Sequence, residues 1–270
     1  MNTAIRHPAV AGKFYPGDRA ALAAAVRSYL SAADEALPTI GVLVPHAGYM
    51  YSGAVAGAVF AAAEIPEICI VLCPNHTGKG PPLSILSGCA WETPLGVVEP
   101  DEKVAEALKK QFPLLTEDAA AHQQEHAIEV ELPFLLERNP RVRIVPIALG
   151  TRHYEVLEGL GEAVAAVVDA QSSRVLIVAS SDMNHYENDT VTRVKDGKAI
   201  DRLLALDPRG LFDVAMREDI SMCGLGPAVV MLTAARRLGA KSAQLARYAT
   251  SGDVSGDRDR VVGYAGILLR

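Results

Sequence analysis

Thr39-Ile40-Gly41-Val42-Leu43-Val44 runs straight into Pro45-His46-Ala47-Gly48-Tyr49, and this join of an apolar run to a histidine-bearing loop decides how the rest of the chain reads. An uncharged apolar run of strand length suits a strand covered on both faces. The pattern returns twice. Residues 68–73 lead into Pro74-Asn75-His76-Thr77-Gly78, and residues 174–179 lead into Ser180-Ser181-Asp182-Met183-Asn184-His185. In open α/β sheets, ligands bind beyond the carboxyl ends of the strands. Taken singly, each histidine reads as a hydrogen-bonded loop residue. Three of the seven histidines at equivalent strand ends argue instead for one shared metal or catalytic site, provided the three strands are parallel neighbours. Neutral imidazole is a ligand for iron, zinc and copper.

Outward from these joins, strand-length apolar runs alternate with amphipathic segments of helix length. Strands are expected over 39–44, 68–73, 83–87, 142–149, 174–179, 243–248 and 261–269. Helices are expected over 19–33, 53–63, 101–111, 127–138, 154–170, 191–205, 208–217 and 225–238. Asp18 can cap the first helix, and Asp207-Pro208 is a helix start because proline fits the first turn. The alternation predicts an α/β fold: a central, mostly parallel or mixed sheet with helices on both faces. No linker or repeat divides the chain, so residues 1–270 read as a single domain. The spacing Gly53-Ala54-Val55-Ala56-Gly57 permits close packing and is expected to seat its helix on the sheet.

Half of the 270 residues are hydrophobic, enough for a substantial core. The net charge of −6, with no basic block, speaks against binding a nucleic-acid backbone. Residues 36–63 carry no formal charge, except that Pro38, Pro45, His46, Gly48 and the polar residues after it interrupt them where a bilayer core would not tolerate them. With no secretory signal at the N-terminus, a cytoplasmic protein with reduced thiols is expected. Cys69 and Cys73 fall in or near an apolar run, and Cys89 in a mixed stretch.

Two further segments join the candidate site. Gln124-Glu125-His126 precedes a patterned helix; His126 could line the pocket and Glu125 could orient a neighbouring ligand. Ser221-Met222-Cys223-Gly224 lies before another helix, where a lowered thiol pKa would favour thiolate and metal binding. A surface His126 and a buried hydrophobic Cys223 are the plainer alternatives. His7, His122 and His153 have no such setting and read as structural or surface residues.

With these segments in hand, the chain resembles the MEMO family (mediator of ErbB2-driven cell motility), whose archaeal and bacterial members go by AmmeMemoRadiSam system protein B. The resemblance is carried, in order, by Ala11-Gly12-Lys13-Phe14-Tyr15-Pro16, Pro45-His46-Ala47-Gly48-Tyr49, Pro74-Asn75-His76, Glu125-His126-Ala127-Ile128-Glu129, Ser181-Asp182-Met183-Asn184-His185, Met222-Cys223-Gly224 and Val262-Gly263-Tyr264-Ala265-Gly266. It implies a fold similar to class III extradiol dioxygenases, which are non-haem iron enzymes. It implies metal ligands at His46, His76 and Cys223, with Cys223 where those enzymes keep a carboxylate. It places His185 at their catalytic histidine, Asp182 beside it and His126 at another pocket position. Iron is the expected metal, with copper or zinc as alternatives. The prokaryotic family name implies companions, an AMMECR1-type protein and a radical SAM protein.

Two functions follow as expectations. One is a dioxygenase-like, metal-dependent oxidoreductase acting on a small molecule, with His185 as general acid or base, Asp182 tuning it or binding substrate, and His126 donating to the substrate. The other is a non-catalytic protein that sequesters metal or binds a partner peptide. A zinc hydrolase is the weakest reading, because the chain has neither HExxH nor GxSxG. A thiolate is softer than a carboxylate and open to oxidation, so fold likeness alone does not make the protein a dioxygenase.

Overall fold

The computed structural model describes residues 4–30 and 36–270. The first half holds β1 (Ala4–Arg6), α1 (Arg19–Leu30), β2 (Gly41–Val44), α2 (Tyr49–Ala62), β3 (Ile68–Pro74), β4 (Leu83–Ile85), β5 (Cys89–Thr93), β6 (Gly96–Pro100), α3 (Glu102–Gln111) and β7 (Thr116–Glu117). The second holds α4 (Leu132–Arg138), β8 (Arg143–Leu149), α5 (Tyr154–Asp169), β9 (Val175–Ser180), β10 (His185–Glu187), α6 (Asp189–Leu204), α7 (Pro208–Arg217), α8 (Leu225–Arg237), β11 (Ala243–Thr250), α9 (Gly252–Ser255) and β12 (Val261–Leu269). The last three residues of the helix expected over 19–33 lie outside the described residues.

One mixed sheet runs in the order β1-β5-β6-β8-β3-β9-β2-β12-β10, with β4 and β11 pairing onto β8 and β12. Its centre is parallel: β8 pairs β3, β3 pairs β9, and β9 pairs β2. The strands ending at the three histidine loops are therefore neighbours, with β9 in the middle. The register sets Val44 opposite Ser180 and Leu72 opposite Ala179, so the loops leave the sheet at one level.

Alternation along these strands feeds two cores. Leu43, Ile70, Leu72, Ile177 and Ala179 face the layer that includes α5 and α8. Val42, Val44, Cys69, Val71, Leu176 and Val178 face the layer that includes α1, α2 and α4. Both layers are apolar, which is why the central strands read as unbroken hydrophobic runs.

Side chains start several helices. Asp18 accepts the Ala21 N–H at 2.9 Å, and Asp207 accepts that of Gly210 at 2.9 Å. Each satisfies a donor that the helix itself leaves free. No helix among the described residues is long and apolar enough to cross a membrane; residues 36–63 contain β2, a loop and α2 instead.

Three local expectations change. The helix expected over 127–138 begins only at Leu132, after turns at 127–131, with Pro133 in its first turn. Glu125 and Glu129 bind distant backbone across this segment, and those contacts override helix propensity. Gly53 and Gly57 pack on Tyr29 of α1, where a Cβ would collide with its ring and backbone; Val55 and Val59 of the same helix meet Gly266 in β12. The glycine face thus joins helix to helix, and the valine face seats α2 on the sheet. The hairpin of β5 and β6 was not foreseen, because its polar and apolar residues mix without a clean apolar run.

Candidate metal centre

His46 follows β2 and is buried. Its ring Nδ1 lies 2.8 Å from Ser180 Oγ, and that hydroxyl in turn donates to the Ala127 carbonyl at 3.3 Å. The hydroxyl thus accepts from Nδ1–H, which leaves the lone pair on Nε2. His76, after β3, is held twice by buried Glu125: the backbone N–H donates to Oε2 at 2.7 Å, and ring Nδ1 donates to Oε1 at 2.9 Å. Its Nε2 is left as the free donor atom too. Cys223, just before α8, sets its sulfur 3.3 Å from His46 Nε2 and 3.6 Å from the Asp182 carbonyl. One ligand atom from each of His46, His76 and Cys223 lies within 4.8 Å of the other two.

Gly224 makes the turn behind Cys223. Its N–H donates to Ser181 Oγ at 3.0 Å, and any Cβ there would overlap the Ser180 carbonyl.

His126 stacks on His76 with ring centroids 4.9 Å apart and planes 20° from parallel, and sits 5.4 Å from the His46 ring. His185 opens β10; its backbone N–H donates to Ser221 Oγ at 2.8 Å and its Nδ1 to the Ser221 carbonyl at 3.0 Å. That bond leaves His185 Nε2 as its free ring nitrogen. Asp182, expected to tune His185 or bind substrate, also lines the cleft. Its Oδ1 accepts the His46 backbone N–H at 2.9 Å, and it joins β9's end to the loop after β2.

These residues line one cleft of about 610 Å³, together with Phe14, Arg152, Tyr186, Ser221, Val262 and Tyr264. Depressions of about 370 and 360 Å³ elsewhere on the surface hold no such donor set. Tyr186 adopts φ 64°, a left-handed conformation rare for a bulky residue, beside His185 at the cleft wall.

Burial governs the protonation states. It holds His46 well below the ordinary imidazole range, with the neighbouring His126, His76 and His185 adding to the effect. Burial lowers His126 and His185 as well. It opposes a charge on His76 too, but there the hydrogen bond and charge of Glu125 outweigh it and raise the pKa. Burial lifts Asp182 to about 7, against the stabilising N–H of His46. The Cys223 thiol is also pushed up, by burial and then by the Asp182 charge. This reverses the expectation of a lowered pKa near a helix start: the Gly224 N–H and Ser181 hydroxyl favour thiolate, but desolvation outweighs them.

Cys69 and Cys73 are buried in the core, where burial raises both thiols. His7 is exposed and pairs with Glu92, and His153 is exposed before α5. His122 is fully buried against Trp91. None of the three reaches the cleft. Ser180 and Ser221, which orient His46 and His185, escaped notice as orienting groups although they lie in the quoted loops. Arg6 and Glu129 also matter at a distance. They form a buried pair, and Glu129 accepts from the Ala9 and Val10 backbone at 2.8 and 3.0 Å and from the Tyr15 hydroxyl at 2.7 Å. That tie brings Phe14 edge-on to His126, with centroids 4.9 Å apart.

Comparison with known proteins agrees along the whole chain. A MEMO1 family protein of Methanothermobacter thermautotrophicus is 40% identical over 273 residues, covering 97% of this chain and 99% of the relative. One from Methanopyrus kandleri is 40% identical over 281 residues, covering 98% and 99%. Among solved structures, an uncharacterized protein of Escherichia coli K12 shares the fold, with TM-score 0.59 at 12% identity, over 86% of this chain and all of that one. The Memo-like protein family model matches residues 6–268, and the chain belongs to that family.

Proposed function

We propose that this protein binds a transition-metal ion through His46 Nε2, His76 Nε2 and Cys223 Sγ and serves as a metal-dependent redox protein. The observation that carries the reading is the tautomer control. Ser180 and Glu125 each occupy an Nδ1, which leaves both Nε2 atoms as the remaining ring donors, and one ligand atom of each histidine lies within 4.8 Å of the Cys223 sulfur. Such outer contacts are the usual companions of metal-bound histidine. The donor set fits: metal–nitrogen and metal–sulfur bonds of about 2.0–2.3 Å need donors a few ångströms apart, and the Cys223–His46 pair stands at 3.3 Å.

Two imidazoles and a thiolate suit iron, copper or zinc, and the first two would supply one-electron chemistry. The protein's own groups have separable roles. Cys223 gives up its proton on loading. His185, neutral through burial and fixed by Ser221, has Nε2 free to take or return a proton. His126 closes one side of the ligand space through its stack on His76. The same three ligands would serve a sequestering protein; the oriented His185 is what favours turnover.

The test is elemental analysis and electron paramagnetic resonance on protein purified without oxygen. One ion per chain, lost in His46→Ala and Cys223→Ser, is expected. Metal-loaded protein that consumes no oxygen and changes no redox state with reductants or catechol-like probes would leave only the sequestering role. A His185→Ala variant that keeps its ion and loses turnover is the positive result.

A further inference from the structure

Cys223 and His185 reach the cleft from different loops, and one buried side chain ties those loops together. Ser221, two residues before Cys223, gives both its backbone N–H and its hydroxyl to Asn184 Oδ1, at 3.1 and 3.0 Å. The same hydroxyl accepts the His185 N–H, and the Ser221 carbonyl accepts from His185 Nδ1. Asn184 therefore precedes His185 in the chain and also grips, through Ser221, the loop that carries Cys223.

The Asn184 amide has no freedom to turn over. On one side it meets the Ser221 backbone N–H, which can only donate. On the other, its Nδ2 donates to the Glu187 carboxylate at 2.7 Å. A flipped amide would set donor against donor and acceptor against acceptor. The backbone is pinned as firmly. Asp196 of α6, fully buried, accepts the Asn184 N–H at 2.9 Å, and the Gly263 N–H of β12 donates to the Asn184 carbonyl at 2.9 Å. The Tyr248 hydroxyl of β11 donates to the other Asp196 oxygen at 2.7 Å, and a Cβ on Gly263 would collide with that oxygen. Helix, sheet and loop thus hold a residue that is 1% exposed, with its amide oxygen turned to the Ser221 loop. A buried amide with its groups satisfied fixes one arrangement of the segments that meet on it.

We propose that Asn184 is a positioning residue of the centre: through Ser221 it sets the Cys223 sulfur and the His185 ring in one fixed relation. The inference rests on Cys223 and His185 having the roles proposed above, and it assigns their common support.

The test uses the metal-free full-length chain, because Asn184 acts on the geometry before any ion arrives. Ring-nitrogen shifts in 15N NMR read the His185 tautomer, which the Ser221 carbonyl holds as Nδ1–H. Iodoacetamide labelling, mapped by mass spectrometry, reads Cys223. In Asn184→Ala, His185 should pass to a mixture of tautomers, and Cys223 alkylation should quicken about tenfold as the buried donors lose their acceptor. Leu108→Ala, in the core against α3, weakens the fold without touching these loops and should change neither signal. Asn184→Asp keeps the acceptor for Ser221 but sets a carboxylate against Glu187. Adding Glu187→Gln restores donor against acceptor and should recover the wild-type tautomer and labelling. A folded Asn184→Ala with both signals unchanged overturns the proposal, and so do equal changes in Leu108→Ala. If Asn184→Ala does not fold, the other pair decides: a double variant no better than Asn184→Asp overturns it. Metal content of the same proteins separates the two readings. A wild type that takes up no ion, but whose two signals still follow Asn184, loses the metal centre and keeps the support. A wild type that loads its ion, with both signals indifferent to Asn184, keeps the centre and loses the support.

Discussion

Glu125 grips His76 at both ends of the residue, taking the backbone N–H on one carboxylate oxygen at 2.7 Å and the ring Nδ1 on the other at 2.9 Å. The same Oε1 also accepts the His126 and Ala127 backbone N–H groups at 2.9 and 3.0 Å. One buried carboxylate therefore fixes the position, ring orientation and tautomer of a candidate ligand. Glu125→Gln keeps the shape but offers an amide where a second acceptor is needed. Metal affinity should fall roughly 10- to 100-fold, the usual cost of removing an outer partner of a ligating histidine. Competition against a chromogenic chelator measures it, and an unchanged affinity would count against His76 as a ligand.

Metal affinity should depend steeply on pH. Folding raises the Cys223 thiol through burial and the His76 imidazolium through Glu125, so both hold protons that an ion must displace. Raising pH removes those competing protons, and affinity therefore rises. The slope should be about tenfold per pH unit for each proton released, between about pH 6 and pH 8. The check is a series of chelator competitions across that range, with proton release followed in weak buffer. A flat profile would mean that neither group takes part.

The N-terminal segment should depend on Glu129. This carboxylate pairs with Arg6 in the interior and receives the Ala9 and Val10 N–H groups and the Tyr15 hydroxyl. Glu129→Ala leaves the guanidinium and three further donors without their partner. Breaking a buried pair from one side costs about 3–5 kcal/mol. Urea unfolding should show that loss, and limited trypsin digestion should cut after Lys13 more readily than in wild type. An intact, equally stable variant would show that the segment is held by its apolar contacts alone.

Gly224→Ala should damage the centre without touching a ligand atom. A Cβ at this position overlaps the backbone carbonyl of Ser180, whose hydroxyl meets the His46 ring, and the side chain of Ser181, whose hydroxyl takes the Gly224 N–H. Overpacking of this kind costs about 1–3 kcal/mol. Thermal unfolding and metal content should both decline. A variant with normal stability and full loading would show that the turn yields freely.

The strand-end histidines were legible because burial on both faces leaves a continuous apolar run, and each run stops where the chain must turn into solvent. His46 and His76 stand directly after such stops. The companion roles were harder to read. Asp182 sits next to Met183-Asn184-His185 in sequence, yet its carboxylate crosses to the backbone of His46 in the neighbouring strand's loop. Local spacing carries no information about such a cross-strand choice. Pro133 did mark the true start of α4, since proline favours a first turn, but the apolar pattern upstream of it suggested an earlier start. Arg152 had no signal at all, because its place follows from β8 lying beside β3, a pairing of distant segments.

The close approach of Cys223 to His46 bears on how the empty protein survives an oxidising moment. The sulfur lies 3.3 Å from His46 Nε2 and donates to the Asp182 carbonyl at 3.6 Å, and its burial discourages the thiolate that alkylating agents and peroxide attack. Without an ion this cysteine is a dormant nucleophile, slow to react with iodoacetamide despite its position on an open cleft. Under the proposed function, loading an ion would remove the proton, and the sulfur's reactivity would then answer to the ion rather than to the solvent.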